Sequence, residues 1–216
     1  MIKEMIKTLF PSTKNIDEVA RIVEKYRMKF GLNTGLRLVQ FLAQVREEIG
    51  PEFKIIRENL NYKEEIALKL FKNMTVADAE KYARDENTPV ANQVAIANIA
   101  YANKLGNGNA DSDNDGDMDV NDDGYKYRGA GCLQITGKSN FAEVQKRILK
   151  YYGSECNPDT LEGFILFGMG FWIWKDCYKA ADTGNPDNVT EIINKKTLSY
   201  AERKKHFNSI KHLIVS

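Results

Sequence analysis

Four glutamates, Glu47, Glu48, Glu52 and Glu58, lie in the run VREEIGPEFKIIRENLNY at residues 45–62. Two carboxylates in different environments are the groups with which glycosidases divide the work of a general acid and a general base. Glutamates near a helix end are also common on ordinary solvated surfaces. The run by itself therefore leaves both catalysis and a solvated helix face open.

The apolar periodicity of residues 35–49 separates two of these glutamates. On a helix with about 100° per residue, Glu48 lies at the margin of the apolar face and Glu47 points away from it. A carboxylic acid at such a margin is partly desolvated, which favours its protonated form, as a general acid requires. A glycine and a proline then end the helix, and the turn allows Glu58 to face Glu48 across a cleft. We expect Glu47 and Glu52 to be solvated.

An acidic loop at residues 111–122, DSDNDGDMDVND, matches the calcium-loop template D-x-[DN]-x-[DN]-G-x5-E except for an aspartate at the last position. Carboxylate oxygens at this spacing suit Ca²⁺, and the shorter last side chain predicts weaker binding. The predicted ligands are Asp111, Asp113, Asp115, Asp117 (through its backbone carbonyl), Asp119 and Asp122. We expect a structural Ca²⁺ that orders the loop, no cofactor for the chemistry, and no paired EF-hand sensor, because a strand-like segment follows a single loop. The alternative is a solvated, disordered acidic loop.

The charge distribution predicts an anionic partner. The chain has 31 basic and 30 acidic residues, but seven of the acidic residues lie within residues 111–123, so the rest carries a net charge of +8. Such a basic body suits nucleic acid, a membrane surface or a cell wall. Three cysteines without a CxxC pair argue against a disulfide framework, and two histidines leave little for a histidine-based catalytic or zinc site.

The apolar spacing predicts a mainly α-helical protein with one domain over residues 1–216, into which the acidic loop is inserted. Residues 160–180 are apolar nearly all round and predict the central buried helix, whereas CLQIT at 132–136 is strand-like. The start of the sequence lacks the apolar core and cleavage site of a signal peptide, so we expect none. No stretch of 18 apolar residues occurs, so we expect no membrane span. The predicted helices are 16–30, 34–49, 63–72, 76–84, 89–104, 139–151, 160–180, 188–194 and 200–213.

Several separated motifs resemble glycoside hydrolase family 19, most closely its phage endolysin branch. They are FLAQVREEIGPEF with ENLNY at 58–62, YANKLGNG at 101–108, YRGAGCLQITGKSNF at 127–141, and VTEIINKK followed by Arg203. The resemblance runs from about residue 13 to 210. It implies a lysozyme-like, two-lobed α-helical domain with a catalytic cleft, which cleaves β-1,4 bonds of N-acetylhexosamine polymers with inversion.

Carried over residue by residue, the resemblance implies that Glu48 is the general acid, Glu58 the base, and Thr136 the residue that holds the attacking water. The positions that line the substrate cleft are Asn61, Tyr62, Gln134, Asn194 and Arg203. An inverting pair is separated by roughly 6.5–9.5 Å, which leaves room for a water. Alternatively, Tyr62 is a core aromatic, and Arg203 is an ordinary surface residue or part of a structural ion pair.

The sequence departs from the family pattern at four positions. Glu47 stands where the motif has histidine, Ala130 where it has arginine, and Lys195 and Lys196 where it has glycines. The missing histidine leaves open a calcium-ordered carbohydrate-binding protein that has lost catalysis. The insertion of the acidic loop is a further difference from relatives of this branch.

The leading hypothesis is an endolysin that hydrolyses the bond between N-acetylmuramic acid and N-acetylglucosamine in peptidoglycan, and the second is a chitinase of the same fold. The expected partner is the peptidoglycan glycan strand, with no nucleic acid, no membrane insertion and a monomeric state. We expect synthesis in a host cytoplasm and action on the wall in the periplasm after holin-type release.

Overall fold

Twelve α-helices and a short 3-10 helix account for the regular structure of the computed structural model, which describes residues 1–214. The α-helices are α1 (Ile2–Leu9), α2 (Ile16–Tyr26), α3 (Gly35–Ile49), α4 (Glu64–Leu70), α5 (Val76–Tyr82), α6 (Gln93–Tyr101), α7 (Asp123–Lys126), α8 (Lys138–Tyr152), α9 (Leu161–Trp174), α10 (Cys177–Ala181), α11 (Pro186–Asn194) and α12 (Tyr200–Ile210), and the 3-10 helix is Lys211–Leu213. Within these residues no strand forms, although an isolated bridge joins Lys63 and Arg84. The mainly α-helical, lysozyme-like fold class is confirmed.

The first helix was not expected from the sequence, because charged residues interrupt its apolar run. In the structure α1 buries Ile2, Met5, Ile6 and Leu9, which recur at helical spacing, and its charged residues occupy the other face. The predicted helix over 160–180 is in fact two helices. Asp176 adopts a left-handed conformation with φ 52° and separates α9 from α10, so the single long helix is wrong in its second half.

The strand-like assignment of residues 132–136 is wrong. Gly131 and Gln134 have φ values of 70° and 51°, which a strand does not allow. The N–H of Gln134 bonds to the carbonyl of Gly131 at 3.0 Å and closes a turn. A second correction concerns the acidic loop, which is followed directly by the four-residue helix α7 and not by a strand-like segment.

The described residues divide into two compact units. Within the described residues, unit 1 comprises 1–56, 130–134 and 143–214. Its centre is α9, which buries apolar side chains on all sides, as the sequence predicted. Phe41 of α3 meets Trp172 of α9 edge to face with ring centroids 5.6 Å apart. Gly168 is required in α9 because a Cβ there would lie 2.2 Å from the Sγ of Cys132.

Unit 2 comprises residues 57–129 and 135–142, and so includes the acidic loop. Its small apolar core is built from α4, α5 and α6 with the segments that join them, and includes Leu60, Ala67, Ala79 and Ile96. Helix α7 packs on α6, where a Cβ at Gly124 would lie 2.5 Å from the Cα of Asn98. No helix in residues 1–214 combines the length and the apolar character needed to cross a bilayer.

Candidate active site

Glu48 lies in the last turn of α3, within unit 1. The helix begins where the hydroxyl of Thr34 accepts a hydrogen bond from the N–H of Arg37 at 3.2 Å, and ends at Gly50, whose φ is 75°. These two ends fix the turn on which Glu48 stands. The Glu48 side chain is 15% exposed, as expected for the margin of an apolar face. Its Oε1 accepts a hydrogen bond of 2.6 Å from Nη2 of Arg203, which belongs to α12.

Arg203 is the most deeply buried charged group of this site, with 2% of its side chain exposed. Its Nη1 donates to Oε1 of Gln44 at 2.7 Å and its Nε to the hydroxyl of Ser199 at 3.1 Å. A buried guanidinium requires both a countercharge and acceptors for its N–H groups. Of the alternatives for Arg203, the surface residue is therefore wrong and the structural ion pair is confirmed, whereas its contact with substrate stays a prediction.

Gln44 was not singled out in the sequence, although it joins three helices. Its Nε2 donates to the hydroxyl of Thr190 in α11 at 3.0 Å, while its Oε1 holds Arg203. Thr190 in turn donates to the carbonyl of Pro186 at 3.0 Å. One feature of the sequence could have identified Gln44. It is a polar residue on the apolar face of α3, one turn before Glu48, and an amide buried there needs hydrogen-bond partners.

Glu47 is not the solvated residue that the helical wheel predicted. Its Oε2 lies 3.2 Å from Nε2 of His206 in α12, and the two side chains are 23% and 16% exposed. Burial lowers the pKa of His206, the charge of Arg46 lowers it further, and the contact with Glu47 acts in the opposite direction. The helical wheel failed because it treats α3 alone, whereas α12 packs along it.

Glu58 lies in unit 2 and is held by two donors of that unit. Its Oε1 accepts a 2.5 Å hydrogen bond from the hydroxyl of Tyr101, and its Oε2 accepts one of 3.2 Å from the N–H of Gly129. The N–H of Glu58 donates to the carbonyl of Gly129 at 3.0 Å, so the backbone is fixed as well. Burial, followed by the charge of Glu58, strongly raises the pKa of Tyr101. Tyr101 is the first residue of the YANKLGNG motif, and the sequence alone does not indicate its contact with Glu58.

Two further predicted residues lie in the segment after Glu58. Tyr62 packs edge to face on Phe71 with ring centroids 5.6 Å apart, and its pKa is raised by burial and then by the charge of Glu58. The Oδ1 of Asn61 accepts a 2.8 Å hydrogen bond from the N–H of Ala91. Asn61 therefore supports the backbone of unit 2, and its contact with substrate stays a prediction.

Thr136 also belongs to unit 2 and is partly exposed. Its carbonyl accepts a 2.8 Å hydrogen bond from Nδ2 of Asn140. Its hydroxyl makes no hydrogen bond to any residue within 1–214, so it is free to bind a water.

Gln134 and Asn194 lie in unit 1. Gln134 turns the chain with a positive φ, and its Nε2 donates to the carbonyl of Gly131 at 3.0 Å. Asn194 is the exposed last residue of α11.

The structure brings together some of the predicted site residues. Unit 1 places Glu48 and Arg203 in contact, and unit 2 places Tyr62 close to Glu58. The facing arrangement of Glu48 and Glu58 stays a prediction.

Three of the six predicted calcium ligands cluster in the acidic loop. Carboxylate oxygens of Asp111, Asp113 and Asp115 lie within 4.8 Å of one another. The N–H of Gly116, with φ 98°, donates to Oδ2 of Asp111 at 3.2 Å, while Oδ1 of Asp111 is buried and unpaired within the described chain. The pKa of Asp113 is raised by burial and then by the charge of Asp115. This donor set fits a hard cation.

Asp122 is fully buried and is not part of this cluster. Its Oδ1 accepts hydrogen bonds from the backbone and the hydroxyl of Ser112, and its Oδ2 accepts from Asn98 at 3.2 Å and from the N–H of Asp119 at 2.9 Å. The carboxylate therefore anchors the loop to α6. The other two predicted ligands also bond within the loop, since Asp117 donates its N–H to Asp115 and Asp119 accepts from Asn121.

The chain is similar over nearly its full length to a known protein. A protein of Haemophilus influenzae named "Glycosyl hydrolase family 19 domain-containing protein" is 31% identical over 217 residues, which cover 97% of this chain and 96% of that protein. No family model matches the chain.

Proposed function

The chain belongs to glycosyl hydrolase family 19, and from that premise we propose that it hydrolyses the glycan backbone of peptidoglycan as an endolysin. Membership makes it a glycoside hydrolase of the chitinase- and lysozyme-like kind. The finer assignment is a muramidase that cleaves the β-1,4 bond between N-acetylmuramic acid and N-acetylglucosamine. The observation that supports two-carboxylate hydrolysis is that Glu48 and Glu58 each accept a hydrogen bond from a dedicated side-chain donor. The choice of peptidoglycan as substrate rests on the charge of the chain.

In the proposed mechanism Glu48 is the general acid. Arg203 occupies its Oε1, and its Oε2 has no partner within residues 1–214, so Oε2 is the atom assigned to carry the transferred proton. As the bond from the anomeric carbon to the leaving oxygen breaks, the proton passes from Glu48 to that oxygen. The developing positive charge on the sugar ring is spread over the anomeric carbon and the ring oxygen.

Glu58 is the general base that takes a proton from the attacking water. Tyr101 and Gly129 each bond to one of its oxygens, which fixes the carboxylate plane and leaves lone pairs for the water. The free hydroxyl of Thr136 is the second contact for that water. The oxygen then bonds to the anomeric carbon from the side opposite to the leaving group, and the product has inverted configuration.

Charge supports peptidoglycan over chitin as the substrate. Outside residues 111–123 the chain has 31 basic and 23 acidic residues. A basic protein is attracted to the anionic bacterial wall, whereas chitin is uncharged. We accordingly propose that the protein acts on the bacterial wall, as a monomer, after release from the cytoplasm in which it is made.

We also propose that the loop binds one structural Ca²⁺ through Asp111, Asp113 and Asp115. The ion would offset the mutual repulsion of these carboxylates and satisfy the unpaired Oδ1 of Asp111. It has no assigned part in bond cleavage.

The test is clearing of permeabilised Gram-negative cells by the wild type, Glu48→Gln and Glu58→Gln. We expect each variant to lose about 10²–10⁴-fold in rate, the usual contribution of an acid or base. Tm values are measured in parallel, so that loss of fold is distinguished from loss of chemistry. Full activity in Glu48→Gln would overturn the mechanism. Cleavage of chitin oligosaccharides but not of purified peptidoglycan would favour the chitinase, and anhydro-muramic products would exclude hydrolysis.

A further inference from the structure

A cavity of about 330 Å³ lies wholly within unit 1 and has no part in the mechanism above. It is lined by the segment between α1 and α2 and by the segment that follows α3. Phe53 and Leu161 supply its apolar surface, and Ser12, Lys14, Asn15, Glu52 and Lys54 are among its polar lining residues. Ligand pockets in proteins have volumes of about 300–1,000 Å³, so this cavity suits a small polar ligand.

The two segments that form the cavity are fixed to each other. The N–H of Phe53 donates to the hydroxyl of Thr13 at 2.6 Å, and the N–H of Ser12 donates to the carbonyl of Pro51 at 3.4 Å. The ring of Phe53 also packs edge to face on Phe10, with centroids 4.8 Å apart. The cavity is therefore preformed, which lowers the entropy that ligand binding would cost.

The charged side chains that line the cavity determine which kind of ligand it can bind. Lys54 pairs with Glu52, and this hydrogen bond, then the charges of Lys54 and Lys14, holds the pKa of the Glu52 carboxyl below its usual value. Lys14 has no acidic residue within salt-bridge distance in the described chain. Asn15 precedes α2, but its side chain makes no capping bond, so its amide is free. Two ammonium groups and one carboxylate complement a ligand with more carboxylates than amines.

We propose that this cavity binds the stem peptide of peptidoglycan, an inference that rests on the proposed function. Stem peptides are attached to muramic acid and have more free carboxylates than free amines, whereas chitin has neither group. In this arrangement Lys14 and Lys54 bind peptide carboxylates, Glu52 binds the amine, and Phe53 contacts the aliphatic part. The lining residues 52–55 lie along the chain between Glu48 and Glu58. The segment that joins the two predicted catalytic residues would therefore also bind the stem peptide.

The test compares two substrates that differ only in the peptide. One is soluble peptidoglycan strands, and the other is the same strands after an amidase has removed the stem peptides. Initial rates are measured as new reducing ends for the wild type, Lys14→Gln/Lys54→Gln, and the control Lys7→Gln/Lys146→Gln, which changes two exposed lysines of the same unit outside the cavity. We expect the wild type and the control to prefer peptide-bearing strands about ten- to hundredfold in kcat/KM, the size expected for lost charged hydrogen bonds.

The cavity variant should cleave both substrates at the rate that the wild type shows on stripped strands. Calorimetric titration with the free tetrapeptide L-Ala-γ-D-Glu-diaminopimelate-D-Ala gives a readout without catalysis, and binding should be present in the wild type and absent in the cavity variant. Equal cleavage of both substrates by the wild type would overturn the stem-peptide site while the proposed function stands. Failure to cleave either, with chitin oligosaccharides cleaved, would instead overturn the proposed function, and peptide binding unchanged in the cavity variant would overturn the site.

Discussion

Replacing Glu48 with alanine should destabilise the protein because it leaves a buried charge without a countercharge. Within the described residues Glu48 is the acidic partner of Arg203, whose side chain is 2% exposed. After the change the guanidinium would retain two neutral acceptors, Gln44 and Ser199. Breaking a buried pair in this way costs about 3–5 kcal/mol. In a chain of this size about 1 kcal/mol lowers Tm by about 2–4 °C, so we expect a fall of about 6–20 °C.

Thermal and urea unfolding of four proteins checks this reasoning. Glu48→Ala/Arg203→Met removes both charges and should be more stable than Glu48→Ala, since apolar replacement of a whole pair is often close to neutral. The control is Glu202→Ala, also on α12, whose partner Lys205 is 75% exposed. An exposed pair contributes little, so the control should stay within about 0.5 kcal/mol of wild type. Two results would refute a stabilising contribution of the buried Glu48–Arg203 pair. One is a Glu48→Ala variant as stable as the control, and the other is a double variant less stable than Glu48→Ala.

Three further predictions concern other groups. Tyr101→Phe keeps the ring but removes a hydrogen bond to Glu58, so kcat should fall about tenfold with KM little changed; an unchanged kcat would refute the positioning role. Because burial holds the pKa of His206 below its unfolded value of about 6.5, the unfolded state binds more protons, and stability should fall as pH drops from about 7 to 5. Tm values over that range should show a smaller loss in His206→Gln, whereas exposed His212→Gln should behave as wild type. Adding Ca²⁺ should raise Tm, and Asp113→Asn should weaken that response; a Tm that Ca²⁺ leaves unmoved would exclude the loop site.

Local periodicity predicted those parts of the fold that depend on the chain's own neighbours. Helices α2 and α3 and the buried character of α9 follow from apolar spacing, and the structure contains all three. Local periodicity could not predict the turn at residues 131–134. An alternating apolar segment resembles a strand, but Cys132 is held by a backbone hydrogen bond of 3.0 Å to Phe164, a contact made only in the folded chain.

The same distinction applies to the candidate site. The helical wheel correctly placed Glu48 at the margin of an apolar face, because this position depends on the residues of α3 alone. Its partner Arg203 is 155 residues away along the chain, and the partner of Glu58, Tyr101, is 43 residues away. Only the resemblance to a family pointed to Arg203, and nothing in the spacing of the residues pointed to Tyr101. The pattern of residues along one helix contains no information about hydrogen bonds to residues far away along the chain.

The contact between Glu47 and His206 bears on whether catalysis has been lost. In the family pattern a histidine directly precedes the acid, and its replacement by Glu47 was the best support for a non-catalytic carbohydrate-binding protein. In this chain an imidazole lies beside residue 47, because His206 of α12 comes within 3.2 Å of the Glu47 carboxylate. This contact joins α12 to the last turn of α3, which carries Glu48, so Glu47 helps to fix that turn. The missing histidine therefore does not favour loss of catalysis, and the partnered carboxylates Glu48 and Glu58 favour an active hydrolase.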